Sequence, residues 1–178
     1  MPGYVIHLAV AESYLKKHKE KNEDYNEFIE GVIFPDSTKI KSETHYGEKS
    51  SESNLYEFLK EHELNSSFER GYFLHLLTDY LFYNRYIDKI SEKIYNDYDV
   101  LNDRLIEKYH VVLPEKVKNQ VFSKEGDLFV LSMELLDRLI NDISNYDLEK
   151  VSEEVKNNPV EWTRMRKLIR LWYEKGKV

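Results

Sequence analysis

Residues 71–82 read Gly-Tyr-Phe-Leu-His-Leu-Leu-Thr-Asp-Tyr-Leu-Phe. A segment apolar on nearly every side of a helix belongs in the middle of a helical bundle, not on its surface. Ser66 and Glu69 stand in front of it at capping-box spacing, so a helix is predicted to start there. Within this stretch His75 and Asp79 lie four residues apart, one turn apart on the same face. A lone buried carboxylate costs several kcal/mol or has its pKa driven upward. No Lys or Arg lies within one turn of Asp79 on that helix. Two readings remain: His75 and Asp79 are a buried hydrogen-bonded pair, or they share a metal ion with ligands from elsewhere in the chain.

The rest of the chain supports an all-α, single-domain, multi-helix bundle over residues 1–178. Only 6 Gly and 4 Pro occur, and no Asn-Gly or Asp-Gly turn separates alternating runs, which argues against hairpins. A first helix is expected over about residues 4–19, with Val5, Leu8, Ala9 and Leu15 on one face. A second spans about 24–33 and stops at Phe34-Pro35-Asp36. A polar loop follows over about 37–51, and Ser53 is expected to cap the next short helix. The metal-site half is then about residues 4–86. Scaffold helices are expected over about 99–175. One runs over 99–109, one begins at Pro114, and one is capped by Asp127 and carries Leu131, Leu135 and Leu139. The last opens at Asn158-Pro159 and sets Trp162, Met165, Ile169 and Trp172 on one face.

Three more residues are polar exceptions in their segments. His7 interrupts the apolar start of the first helix, Asp36 follows Pro35 at a helix end, and His45 sits in the long loop. Each has an ordinary reading: a hydrogen-bonded core histidine, a turn aspartate and a loop histidine. Taken together, imidazoles and carboxylates suit a borderline divalent ion such as zinc, iron or manganese. The chain has no cysteine, so disulfides, thiolate zinc sites, iron–sulfur clusters and a cysteine nucleophile are excluded. His18, His62 and His110 lie in polar surroundings and read as surface residues.

An N-terminal Pro-Gly-Tyr-Val-Ile-His, then Pro-Asp, Thr-His-Tyr-Gly and Gly-Tyr-x-x-His-x-x-x-Asp-Tyr, resembles the zinc-dependent phospholipase C family. The similarity covers roughly residues 4–86 and looks like a short bacterial intracellular-type member. Its wider superfamily includes single-strand nucleases on an all-helical fold. The resemblance implies that Asp36, His45, His75 and Asp79 bind one metal, with Asp79 bridging to a second held by His7. The Pro2 amine would stand in for the terminal ligand of secreted members. Arg85 occupies the position of a further family histidine, and His110 lacks the family's Glu partner four residues on. A third metal site is therefore not expected. Asp99 is a candidate extra ligand, with an N-cap as its ordinary reading.

The function so implied is zinc-dependent hydrolysis of a phosphoric ester, with one or two zinc ions and iron or manganese as substitutes. Asp36 is the candidate ligand and base. Arg85 is the candidate for stabilising phosphoryl charge, with Lys39 and Lys41 behind it, and Tyr46 and Tyr83 are expected to line the pocket. The alternative is a non-catalytic metal-binding bundle that has lost the third site.

Lys plus Arg number 26 against 33 Asp plus Glu, a net charge of −7, so a long nucleic acid is not an expected partner. A small phosphoester or a phospholipid headgroup fits better. No segment approaches the ~20 apolar residues of a membrane span. The N-terminus has no basic run ahead of its apolar residues, which His7 breaks, so a signal peptide is not expected and a cytoplasmic protein is.

Overall fold

Ser66 accepts a hydrogen bond from the Glu69 amide at 3.1 Å, which starts the central helix as the capping box requires. In the computed structural model, which describes residues 3–171, this is the fifth of eight α-helices. They are α1 (Tyr4–Lys17), α2 (Tyr25–Ile33), α3 (Lys41–His45), α4 (Leu55–Glu61) and α5 (Ser67–Leu81), followed by α6 (Ile94–Tyr109), α7 (Met133–Ser144) and α8 (Leu148–Asn157). Strand among the described residues is one short parallel pairing of β1 (Lys89–Ile90) with β2 (Ile169–Arg170). The architecture is an all-α bundle. Among the described residues no helix is long and apolar enough to cross a membrane.

Two helices form the centre. α5 buries every residue from Gly71 through Leu81, and α1 buries every residue from Val5 through Ala11 as well as Tyr14. The sequence predicts a single apolar face for α1. Instead it is enclosed, because α2, α6 and α7 all pack against it.

α2 and α5 are the most closely apposed pair, and two glycines permit it. A Cβ on Gly31 would lie 2.1 Å from the Phe68 carbonyl oxygen, and one on Gly71 would lie 2.1 Å from that of Phe28. This backbone-to-backbone contact has a consequence for the site. The Val32 carbonyl is in the last turn of α2 and has no acceptor role within the helix. The close approach brings it to His75 on α5.

Several boundaries differ from expectation. α1 ends at Lys17, not near 19. Asp24 caps α2, and Asn54 rather than Ser53 caps α4, because the Ser53 hydroxyl donates to the Ser50 carbonyl. The polar loop over 37–51 contains α3 and the start of a 3-10 turn, Ser50–Glu52. α6 starts at Ile94, so Asp99 lies inside it and is not its cap. Pro114 opens no helix, and Ser132, not Asp127, caps α7. Residues 121–131 instead form an extended strap tied to α6. Asn158-Pro159 leads only to a 3-10 turn, Glu161–Thr163, and then to extended chain ending in β2. Trp162 is buried, whereas Met165 and Ile169 are exposed. Trp172 and Pro2 lie outside the described residues.

Gly71→Ala is expected to destabilise the fold by about 1–3 kcal/mol or more, since both helix backbones must part. Chemical denaturation checks this, and an unchanged midpoint would contradict the close contact.

Candidate metal centre

Four elements converge on one buried point. α1 supplies His7, the 3-10 turn after α2 (Phe34–Ser37) supplies Asp36, the end of α3 supplies His45, and α5 supplies His75 and Asp79. Pro35 ends α2 and swings Asp36 inward. The relative exposures of His7, His45, His75 and Asp79 are 1%, 0%, 1% and 0%, while Asp36 reaches 9%.

The hydrogen bonds behind the rings set their tautomers. His75 Nδ1 lies 2.6 Å from the Val32 carbonyl, which can only accept, so Nδ1 carries a proton. Thr44 donates its hydroxyl to the Pro35 carbonyl at 2.8 Å and therefore accepts from His45 Nδ1 at 2.9 Å. Both rings turn Nε2 toward the carboxylates. This is the outer-shell arrangement that orients metal-ligating histidines. His7 stacks on His75, with centroids 3.7 Å apart and planes 6° from parallel.

The donor spacing fits a small cation. His45 Nε2 lies 3.0 Å from Asp79 Oδ2 and 3.4 Å from Asp36 Oδ1, and His75 Nε2 lies 3.2 Å and 3.7 Å from the same two oxygens. A tetrahedron with metal–ligand bonds of 2.0–2.2 Å has edges of roughly 3.3–3.6 Å. Two of the four separations exceed the usual range of an N–H···O bond. His45 Nε2, His75 Nε2, Asp36 Oδ2 and both Asp79 oxygens have no well-oriented hydrogen-bond partner among the described residues. So many orphaned buried polar atoms at one point require explanation, and a divalent ion satisfies them together. The donors of His7, His75 and Asp79, and those of Asp36, His45 and His75, form two overlapping groups, each within 4.8 Å. Asp79 joins them, with Oδ2 toward His45 and His75 and Oδ1 3.0 Å from His7 Nε2. A buried His–Asp cluster compatible with metal binding is therefore present.

Electrostatics within the protein alone point the same way. Burial pushes the Asp36 and Asp79 carboxyls up, but His75 and the other imidazoles overcome it and hold both below the usual carboxylate range. Burial drives His7 down. It also opposes a charge on His45, yet the bonds to Asp36 and Asp79 win and push that imidazole up to about 9.

Other candidates lie elsewhere. Asp99 is half-buried on α6, belongs to neither ligand group, and uses its backbone carbonyl to receive the Lys124 amide. Its neighbour Asp97, fully buried, accepts amides of Phe129, Val130 and Leu131 at 2.7–3.2 Å and so anchors the strap. Asp97 was legible as the polar exception on the Ile94–Tyr98–Leu101 face. Arg85 is exposed and lies over the Trp162 ring, 5.0 Å from its centroid, in a cleft with Tyr80 and Arg164. Six residues at about 100° each put Arg85 roughly 120° around the helix from Asp79, and a π-turn over Phe82–Tyr86 ends the regular helix before it.

Tyr46 adopts a left-handed backbone (φ 60°) and donates to Glu61 at 3.0 Å, with His62 Nε2 2.8 Å from its hydroxyl. It therefore does not line the cluster. Tyr83 is buried and borders the cleft at Asp36. Tyr98 was not anticipated. Its buried hydroxyl has no hydrogen-bond partner among the described residues, and burial, reinforced by the charges of Tyr95, Asp79 and Asp36, raises its pKa. His62 pairs with Glu69 at 2.8 Å, and His18 stacks on Tyr14, so of the three expected surface histidines only His110 is fully exposed.

No family model matches the chain, and comparison with curated proteins and with solved structures yields no match either. What fold and site define is an all-α bundle enclosing a His–Asp cluster suited to a metal ion.

In the metal-free chain His45 binds its proton more tightly folded than unfolded. Its stabilisation is complete below pH 6.5 and is lost as the pH rises through about 9. Asp36 and Asp79 act oppositely, stabilising above their ordinary value of 3.8 and losing this as the pH falls through their depressed values. Denaturation of apoprotein should show the loss above pH 6.5, and zinc uptake at pH 7 should release a proton, read by calorimetry in buffers of different ionisation enthalpy. Thr44→Val should weaken zinc affinity by about 10–100-fold, because His45 loses its orienting partner.

Proposed function

We propose that the chain is a zinc-dependent hydrolase of phosphate esters, as its resemblance to the zinc-dependent phospholipase C family implies. The observation carrying this reading is the buried set of imidazole nitrogens and carboxylate oxygens 3.0–3.7 Å apart, several of which have no well-oriented hydrogen-bond partner among the described residues. Imidazole and carboxylate ligands describe a catalytic rather than a structural zinc site, and iron or manganese would also accept them. A divalent ion held by these residues would neutralise charge on a phosphoryl oxygen and bring the pKa of water to about 7.

The chain's own residues divide the work. His45 and His75, pinned by Thr44 and Val32, present Nε2 and cannot rotate away. Asp79 is sealed and serves as the fixed anionic ligand. The Asp36 side chain is as buried as the others, but the residue borders two open clefts. Its Oδ2, without a protein partner, is placed to take the proton of an incoming water. That water's oxygen adds to phosphorus, the bond from phosphorus to the alcohol oxygen breaks, and the proton held on Asp36 goes to the departing alcohol. Arg85 is too differently placed to share in this. His7, with Asp79 Oδ1, is the start of a second, weaker ion position.

Elemental analysis of purified protein and rates on p-nitrophenyl phosphate and bis(p-nitrophenyl) phosphate test the reading. Zinc near one equivalent and a zinc-dependent rate on either ester are expected. His75→Ala should lose the ion and the rate, and should lower stability, because Asp79 loses one of the three imidazoles that offset its burial while His7 and His45 remain. Bound zinc with no rate on any phosphate ester would make the chain a metal-binding bundle. Full zinc content in His75→Ala would refute the ligand set.

A further inference from the structure

Asp36 lines two clefts of different character. The smaller, about 270 Å³, passes Tyr4, Phe34 and the Glu30–Lys116 ion pair at 2.8 Å, so its charges cancel. The larger, about 670 Å³, has Lys39, Lys41, Lys49 and Arg170 against Glu48 and Asp36 among its described lining residues. On a chain of net charge −7 this is a local reversal of sign. Low-dielectric walls focus such a field and draw in anions.

The other wall is apolar. Tyr83 and Ile90 form it with Tyr95, a residue 60% exposed. The β1–β2 pairing contributes directly, since Leu171 donates to the Ile90 carbonyl at 2.8 Å and fixes Arg170 and Leu168 at the rim. The volume falls within the 300–1,000 Å³ of small-molecule sites and is too small for a polymer.

Lys41 joins cleft and cluster. Its Nζ lies 3.0 Å from Asp36 Oδ1, within one hydrogen bond of a ligand oxygen. A phosphoryl group entering beside Asp36 therefore meets the Lys41 ammonium at contact distance, and charge-assisted bonds of this kind are the strong ones.

We propose that this cleft takes a small, soluble phosphate ester of an aromatic or otherwise apolar alcohol. Lys41 grips the phosphate and Tyr95 packs on the alcohol portion. This rests on the metal-hydrolase reading and adds to it the substrate class and the two residues that select it.

Calorimetric titration of the zinc-loaded chain with phenylphosphonate and methylphosphonate tests it, since both carry the phosphate charge without a scissile ester bond. Phenylphosphonate is expected to bind about ten-fold more tightly, and Lys41→Gln to weaken both by about ten-fold with zinc content unchanged. Tyr95→Ala should bring the two ligands within about two-fold of each other. Equal binding of the two by the parent chain, or unchanged binding in Lys41→Gln, overturns the proposal and leaves the metal site standing. Loss of zinc from Lys41→Gln also counts against it, since Lys41 would then serve the cluster and not the phosphate. A parent chain that takes up no zinc fails one step earlier and removes the hydrolase reading itself. Lys41-dependent sedimentation with phosphatidic acid vesicles would assign the cleft to a lipid surface and overturn the soluble-ester proposal.

Discussion

Two carboxylates, Asp36 and Asp79, sit in the interior of an apolar bundle, and the arrangement around them follows from the need to offset that burial. Desolvation alone would drive both to the neutral acid. Three imidazoles prevent this, arriving from three separate elements at 3.0–3.7 Å. A pair of buried negative charges can be balanced by protonated histidines or by one divalent cation. The two solutions compete for the same lone pairs, which makes cation binding and proton release a single event.

His75 is held from behind by the Val32 carbonyl and His45 by the Thr44 hydroxyl, which itself donates to the Pro35 carbonyl, and both carbonyls are available because of how α2 ends. Val32 offers its oxygen because α2 stops one residue later, and Pro35 is both the stop and the acceptor for Thr44. Gly31 and Gly71 remove the side chains that would separate α2 from α5. A breaker residue, two glycines and one hydroxyl thus fix ring orientations at a point none of them touches directly.

The site is asymmetric. Its inner side is closed by α1 and α5, while Asp36 borders clefts whose walls come from distant parts of the chain. The segment after α8 runs extended and docks on β1, which places Arg170 beside lysines from the α3 region. The π-turn after α5 sends Arg85 to Trp162 instead. Positive charge at the larger cleft comes from Lys39, Lys41, Lys49 and Arg170, and Arg85 takes no part in it.

The sequence by itself determined the all-α class, the central helix with its cap, and the five residues His7, Asp36, His45, His75 and Asp79. Each of those is a polar exception in an apolar segment or beside a proline, and burial of a polar group is a local pattern that spacing reveals. Asp97 carries the same signal on α6, but the spacing suggests a helix starting at 99 with Asp99 as its cap, five residues past the true start at Ile94. The C-terminal third was read poorly, because amphipathic spacing at Trp162, Met165 and Ile169 says nothing of which partner surface remains uncovered. Only the tertiary structure decided which cations face the cluster, which way Tyr46 turns, and that a terminal segment completes the cleft. Those outcomes depend on contacts between separate elements, such as Tyr46 with Glu61 and β1 with β2, and the register of such contacts is set by packing, not by local periodicity.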